Sequence, residues 1–146
     1  TERLVGSEMC IRDRYMICTL SKHEAEKQGY TDSLMLDHED NIAEATGANI
    51  FFKDKNGELH TPIPDSFLDG ITRRTVIQIA KSKNIKVHER KIKPEELKDF
   101  DGCFLTGTAA EVTPVSTIAE YQFKVCDLII DLNESYLALV KKKKAA

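Results

Sequence analysis

The stretch NIFFKDKNGELHTP, residues 49–62, decides the fold class because it predicts two antiparallel strands joined by a tight turn. The dipeptide Asn56-Gly57 is typical of a hairpin turn, and Pro62 ends the second arm. A sheet that contains a hairpin cannot be wholly parallel. We therefore predict one α+β domain with a mixed or mostly antiparallel sheet and flanking helices.

Hydrophobic spacing on either side of the hairpin predicts the remaining elements. Helices are expected at residues 15–28, 72–83 and 117–140. Strands are expected at residues 33–37, 85–92 and 102–115, the last of which breaks into a small-residue loop. A further helix is expected to begin at Pro94, since proline is favoured in the first helical position.

The composition is that of an ordinary globular domain. The chain has 146 residues and a net charge of −3, whereas a nucleic-acid-binding domain would usually be basic. No apolar run approaches the roughly 18 residues of a membrane-spanning helix, so a cytoplasmic protein without a membrane partner is expected. The basic run Lys141–Lys144 is expected to form an exposed tail, residues 141–146.

The sequence predicts no metal site. The histidines share no metal-ligand spacing, and surface or strand-end roles are expected for His23, His38, His60 and His88. None of the four cysteines lies in a Cys-x-x-Cys pair, so free thiols are expected. The acidic turn near residue 39 lacks the glycine and terminal glutamate of an EF-hand.

The stretch LDGITRRTVIQIAK, residues 68–81, begins a helix through Gly70 and Thr72. The N–H groups and dipole of a helix N-terminus favour an anion, and Thr72 adds a hydroxyl donor. Gly70 lacks the Cβ atom that would block a close approach. From these residues alone an ordinary helix start remains the commoner interpretation. Arg73 and Arg74 are expected to face solvent or neighbouring acids.

A second candidate loop follows the strand in FLTGTAAEV, residues 104–112. Thr108 and Ala109 leave backbone amides uncovered there, and Thr108 also offers a hydroxyl. Such a turn can hold a phosphate or a carboxylate. A tight turn into the next strand is the alternative.

Glu44 is the third candidate, because it lies among small and apolar residues just before the strand that begins near Ile50. A buried carboxylate is costly unless it is paired. No Lys or Arg lies within five residues of Glu44, so a partner must come from elsewhere in the fold or from a ligand. An exposed turn is the alternative.

Three stretches together, NIAEATGANIFFKDKNGELHTP, LDGITRRTVIQIAK and FLTGTAAEVTPV, resemble the class IV pyridoxal-phosphate aminotransferases in order and spacing. The wording TAAEVTPV is most similar to the branched-chain amino acid aminotransferases. The resemblance covers residues 15–140 and implies the C-terminal cofactor-binding domain of that fold. D-amino acid aminotransferases and aminodeoxychorismate lyases share this fold and remain alternatives, as does a non-catalytic domain that binds a phosphorylated ligand.

The resemblance implies the cofactor pyridoxal 5'-phosphate and a set of contacts to its ring. Glu44 matches the carboxylate that pairs with the protonated ring nitrogen, which keeps the ring an electron sink. Tyr15 matches the tyrosine near the phenolic oxygen. Leu68 matches the residue packed on the ring.

The resemblance also assigns the two loops. The phosphate cradle matches Gly70, Ile71 and Thr72, with a further phosphate contact from Thr108. The backbone of Thr108 and Ala109 matches the site that receives the substrate carboxylate. The implied reaction transfers the amino group of Leu, Ile or Val to a 2-oxo acid, usually 2-oxoglutarate. The family is usually homo-oligomeric.

The chain departs from the family before Tyr15. Cys10 stands at the position where the family has its Schiff-base lysine. Residues 1–14 do not resemble the family, so they are expected to be foreign sequence. The family's smaller N-terminal domain is not in this sequence. We therefore expect the chain as written to lack useful transaminase activity and to hold the cofactor without a covalent bond.

Overall fold

The computed structural model describes the backbone of residues 11–145 and the side chains of residues 18–145. The helices in this part are α1 (Ile11–Lys27), α2 (Ile71–Ser82), a 3-10 helix (Pro94–Asp99) and α3 (Asp127–Ala145). The first strands are β1 (Leu34–Leu36), β2 (Ile42–Ala45), β3 (Asn49–Asp54), β4 (Leu59–Thr61) and β5 (Val87–Glu89). The later strands are β6 (Phe100–Gly107), β7 (Glu111–Pro114), β8 (Thr117–Ile118) and β9 (Tyr121–Gln122).

The central sheet confirms the α+β prediction. Its five strands lie in the order β5-β4-β3-β6-β7, and every neighbouring pair is antiparallel except β4 and β5. The arms of the predicted hairpin are β3 and β4, and Gly57 in its turn has a φ of 81°. The parallel pair requires a long crossover, which α2 supplies.

Alternate side chains of the two middle strands pack on opposite faces of the sheet. Phe51 and Phe104 are paired in register and stack at 4.9 Å on the face that α2 and α3 cover. Ile50 and Phe52 belong to a second cluster on the other face. Burying one such side chain contributes roughly 1.5–3 kcal/mol, so the two clusters fix both the register and the positions of the helices.

The helix predicted at residues 117–140 is wrong in its first part. Residues 117–122 form the small β8–β9 hairpin, with Ala119 at a φ of 51°, and α3 begins only at Asp127. Ile118 packs against the cluster around Phe52, whereas Ile129 belongs to the opposite cluster. The nearly uniform apolar spacing therefore conceals two segments that pack against different clusters.

Several smaller boundaries also differ from the sequence predictions. The helix that begins at Pro94 is a 3-10 helix, and the strand predicted at residues 85–92 shortens to β5. The strand β2 was not predicted. Lys141–Lys144 are exposed, as expected for the basic tail, but they continue α3.

Three of the four cysteines have described side chains. Cys18, Cys103 and Cys126 are free thiols, and burial raises the pKa of Cys103 far above its usual value. In the same part of the chain, helices lack the length and hydropathy that crossing a bilayer would require.

Candidate functional site

The side chain of Asn49, the first residue of β3, connects the sheet to the loop that enters α2. Its Nδ2 donates a hydrogen bond to the carbonyl oxygen of Leu68 at 2.8 Å, and its Oδ1 accepts one from the backbone N–H of Gly70 at 3.2 Å. Asn49 is buried and lies opposite Thr106 of β6. The loop before α2 is therefore held against the ends of β3 and β6.

The same contact explains the glycine at position 70. An added Cβ atom would lie 2.5 Å from Asn49 Oδ1, closer than such atoms approach in proteins. The backbone there is extended, with a φ of −65°, so no left-handed conformation is involved. The missing Cβ atom at Gly70 therefore makes room for the Asn49 side chain, and the close approach of a phosphate at Gly70 stays a prediction.

The N-terminus of α2 is suited to an anion. Within residues 18–145, no side chain caps this helix end at Gly70, although the first N–H groups of a helix have no intrahelical partners. Ile71 is 76% exposed and Leu68 is 64% exposed, so the entry to the helix presents its surface outward. Thr72 is buried, and its hydroxyl lies 3.4 Å from that of Tyr136.

The turn after β6 stands at the same end of the sheet. Asn49 pairs with Thr106, and a Cβ atom added to Gly107 would lie 3.3 Å from the carbonyl oxygen of Gly47. Thr108 and Ala109 follow directly and are exposed. The register of β3 and β6 thus brings this turn near the loop that Asn49 holds.

Thr106 carries an orphaned polar atom beside this loop. Its side chain is fully buried, and its hydroxyl has no hydrogen-bond partner among the described residues. Leaving such a group unpaired costs about 1–3 kcal/mol. The uncapped helix end and the exposed small-residue turn, with the hydroxyls of Thr72 and Thr108, fit a group that brings several acceptor oxygens, such as a phosphate.

Glu44 lies in the buried strand β2, and the alternative of an exposed turn is excluded. Its residue is 8% exposed, and it pairs in register with Met35 of β1. The N–H of Ala45 donates to the carbonyl oxygen of Ala48 at 2.9 Å, so β2 turns tightly into β3. This turn connects the strand of Glu44 to Asn49.

Two predicted positions cannot be placed as side chains. Tyr15 lies within α1, but its side chain is outside the described ones, and Cys10 lies outside the described residues altogether. The other predicted positions fall on three neighbouring segments, namely β2, the entry to α2 and the turn after β6.

Sequence reasoning missed the burial of Arg73. Arg73 is 1% exposed and forms ion pairs with Asp69 at 2.9 Å and Glu89 at 2.8 Å. Its Nη2 also donates to the carbonyl oxygen of Pro62 at 3.0 Å. Arg74 is exposed, so both arginines point to acids or solvent as expected. The i,i+4 spacing of Asp69 and Arg73 is the sequence signal for this pair.

Residues 9–118 match the family model for class IV aminotransferases. The chain belongs to the class IV aminotransferase family. The matched region contains every candidate position from Cys10 to Ala109. It also includes residues 9–14, so the boundary of the foreign segment 1–14 and the domain limits 15–140 stay predictions.

Individual class IV aminotransferases confirm the fold. A probable branched-chain-amino-acid aminotransferase of Rickettsia typhi is 44% identical over 132 residues, which are 88% of this chain and 46% of that protein. The branched-chain aminotransferase of Thermoproteus uzoniensis with norvaline has a TM-score of 0.82 and 37% identity, over 86% of this chain and 42% of that chain.

A third relative is known in a cofactor-bound form. The branched-chain amino acid aminotransferase of Thermobaculum terrenum, in its PLP-form, has a TM-score of 0.82 and 35% identity. That likeness covers 86% of this chain and 42% of the other. This class IV chain therefore spans less than half the length of these three relatives. Class IV aminotransferases as a family use pyridoxal phosphate.

Proposed function

We propose that the chain supplies the cofactor-binding part of a branched-chain amino acid aminotransferase. The observation that supports this most is the pair of hydrogen bonds at the Asn49 side chain, which donates to the Leu68 carbonyl oxygen and accepts from the Gly70 N–H. These bonds hold the N-terminus of α2 against the strand ends that carry Thr106 and the turn at Thr108. A phosphate-bearing cofactor is the ligand that such an arrangement favours.

The phosphate would be held by the backbone N–H groups of Ile71 and Thr72, together with the hydroxyls of Thr72 and Thr108. The helix dipole of α2 stabilises negative charge at this position by roughly 0.3–1 kcal/mol at an exposed site. The N–H of Gly70 already donates to Asn49, so it would not bind the phosphate itself. Gly70 would contribute by fixing the position of the helix N-terminus.

The ring of pyridoxal 5'-phosphate, when bound, withdraws electrons from the α-carbon of an attached amino acid. Glu44 would hold a proton at the ring nitrogen, and its burial in β2 excludes water from that contact. Leu68 would cover one ring face, and Tyr15 would contact the phenolic oxygen. The exposed backbone of Thr108 and Ala109 would orient the substrate carboxylate.

The substrates proposed are Leu, Ile or Val as amino donors and 2-oxoglutarate as acceptor. Because the relatives are named branched-chain aminotransferases, this reading is preferred to a D-amino acid aminotransferase or an aminodeoxychorismate lyase. Cys10 favours one alternative, a domain that binds the phosphorylated cofactor without catalysis. A homo-oligomeric state and a cytoplasmic location stay predictions.

Binding is tested by titrating the full chain with pyridoxal 5'-phosphate and, separately, with pyridoxal, and following the cofactor's absorbance. The phosphorylated compound should bind at least tenfold more tightly, and inorganic phosphate should compete. Thr72→Ala should weaken binding several-fold. Thr75→Ala is the matched control, since the Thr75 hydroxyl bonds to the carbonyl oxygen of Ile71 within the same helix. Equal affinity for pyridoxal would refute the phosphate site.

Catalytic competence is tested at Cys10. After borohydride reduction, the mass of the unaltered chain should show no cofactor adduct, and Cys10→Lys should gain one cofactor per chain. An adduct on the unaltered chain would contradict the expected non-covalent binding. A Cys10→Lys variant that binds the cofactor but gains no adduct would show that residue 10 does not occupy the lysine's position.

A further inference from the structure

A second cluster of chemically active side chains lies at the other end of β3 from Asn49. The potential ligand atoms of Glu58, His60 and His88 all lie within 4.8 Å of one another. None of these residues belongs to the segments that form the proposed cofactor site. All three are partly buried, so the cluster is neither sealed in the core nor fully solvated.

The parallel pairing of β4 with β5 creates this cluster. The register places His60 directly opposite His88, and the two imidazole rings stack with their centroids 4.7 Å apart. Glu58 immediately precedes β4, and its Oε2 lies 2.7 Å from His88 Nε2. A sheet ladder therefore fixes both histidines on one face.

The distances suit a small divalent ion. Zinc binds imidazole nitrogen and carboxylate oxygen at about 2.0–2.2 Å, which places its ligand atoms roughly 3–4 Å apart. The ligand atoms lie within 4.8 Å of one another, so side-chain shifts of about 1 Å would bring them within that range. Two imidazoles and one carboxylate form a donor set that zinc and the neighbouring transition metals prefer over calcium or magnesium.

A supporting carboxylate already orients His60. Its Nε2 lies 3.0 Å from Asp54 Oδ2, and Asp54 Oδ1 accepts backbone N–H groups from Asn56 and Glu58 at 2.9 Å. Metal-bound histidines usually donate their other ring N–H to such a carboxylate. With its proton on Nε2, His60 directs the lone pair of Nδ1 away from Asp54.

Arg90 now occupies that lone pair. Its Nε donates to His60 Nδ1 at 3.2 Å, and its Nη1 pairs with Glu96 at 2.8 Å. A metal ion must displace the first contact, but Arg90 can keep the second. Lys86 also lies 3.4 Å from Glu58, so two cations compete for the cluster.

We propose that Glu58, His60 and His88 bind one divalent transition-metal ion of the zinc class, in competition with Arg90. The ion would join β4 to β5, the parallel pair at the sheet edge. Because the ion would bind the folded state, it would stabilise the fold by RT ln(1 + [metal]/Kd), so the stabilisation would grow with the logarithm of the metal concentration.

The test titrates the full chain, carrying no histidine tag, with ZnCl₂ by calorimetry, and with CoCl₂ to record the visible spectrum of the bound ion. One ion per chain is expected. His60→Ala and His88→Ala should each weaken zinc binding at least tenfold. His23→Ala and His38→Ala are matched controls, because their side chains are 71% and 66% exposed and lie outside the cluster.

Arg90→Gln provides the sharpest outcome, since removal of the competing cation should tighten zinc binding several-fold. A misfolded variant would lose affinity, so a gain can arise only if Arg90 competes with the metal. Unchanged or weaker binding in an Arg90→Gln variant whose circular dichroism matches that of the unaltered chain would overturn the competition. Undiminished one-to-one binding in the His60→Ala, His88→Ala double variant would assign the zinc to other groups, such as the thiols, and overturn the site.

Discussion

Asn49 and Gly70 fit each other closely: the amide side chain of Asn49 fills the space that a Cβ atom at Gly70 would need, and its Oδ1 accepts the Gly70 N–H. These residues join two segments that are distant in sequence. The contact turns a strand end and a helix start into one surface, so the candidate site depends on it even though Asn49 itself faces inward.

Replacement of Asn49 should loosen the loop that enters α2. We expect Asn49→Ala to lower the free energy of unfolding by about 1–3 kcal/mol, because the Gly70 N–H and the Leu68 carbonyl lose their partner. Asn49→Asp keeps the acceptor for Gly70 but loses the donor to Leu68, so it should cost less. Urea unfolding measures both variants, and a larger loss in Asn49→Asp than in Asn49→Ala would contradict the assigned roles.

Gly70→Ala should destabilise the domain through its clash with Asn49. The expected loss is about 1–3 kcal/mol, since Asn49 must give up both hydrogen bonds to make room. Gly47→Ala is the matched control, because a Cβ atom there would meet nothing within 4 Å. In the Asn49→Ala background the cost of Gly70→Ala should fall by about 1 kcal/mol or more. Additive losses in this double-mutant cycle would mean that the clash lies elsewhere.

Arg73 should be far more important for stability than its neighbour Arg74. Arg73→Ala removes a buried side chain and its bonds to Asp69, Glu89 and the Pro62 carbonyl, so we expect a loss of about 2–4 kcal/mol. The two acids are partly exposed, which keeps the loss below that of a sealed ion pair. Arg74→Ala should stay within about 0.5 kcal/mol, because Arg74 is 58% exposed. Similar losses of unfolding free energy at both positions would show that the buried contacts of Arg73 do not stabilise the fold as proposed.

Acid should weaken the β1–β2 hairpin through Asp37. Burial raises the pKa of Asp37, but hydrogen bonds from the backbone and side chain of Asn41 and from the Glu39 N–H outweigh it and leave the pKa below its usual value. Because the pKa is lower in the folded state, ionised Asp37 stabilises the protein fully at pH values above the usual pKa of 3.8. This stabilisation is lost as the pH falls through the folded-state pKa.

The free energy of unfolding of the unaltered chain and of Asp37→Asn should therefore differ most above about pH 4 and converge in stronger acid. Circular dichroism during urea unfolding at several pH values measures the difference. A difference that stays constant between neutral pH and about pH 2 would show that the charge of Asp37 is not responsible.

The sequence predicts best where one local signal has one structural meaning. Asn56-Gly57 between two apolar runs strongly favours a hairpin, and the stretch after Gly70 has a single apolar face. The observed β3, β4 and α2 therefore follow the prediction closely. The resemblance to the class IV family likewise selects three segments that the fold brings together.

The failures share a long-range cause. His60 and His88 become neighbours only through the parallel register of β4 and β5, which no spacing in the sequence reveals. Ile118 and Ile129 belong to one run of apolar residues at helical spacing, but they pack against clusters on opposite faces of the sheet. Asn49 looks like an ordinary strand residue until the loop at Leu68 folds against it.

The outermost strands of the central sheet have a consequence for self-association. At one margin β5 has three residues, flanked by Lys86 and Arg90, and at the other β7 has four and ends in Pro114. Edge strands that are short, flanked by charges or ended by proline offer few free backbone N–H and C=O groups for pairing with a strand of another molecule. Pairing of these outer strands between copies of the chain is therefore disfavoured.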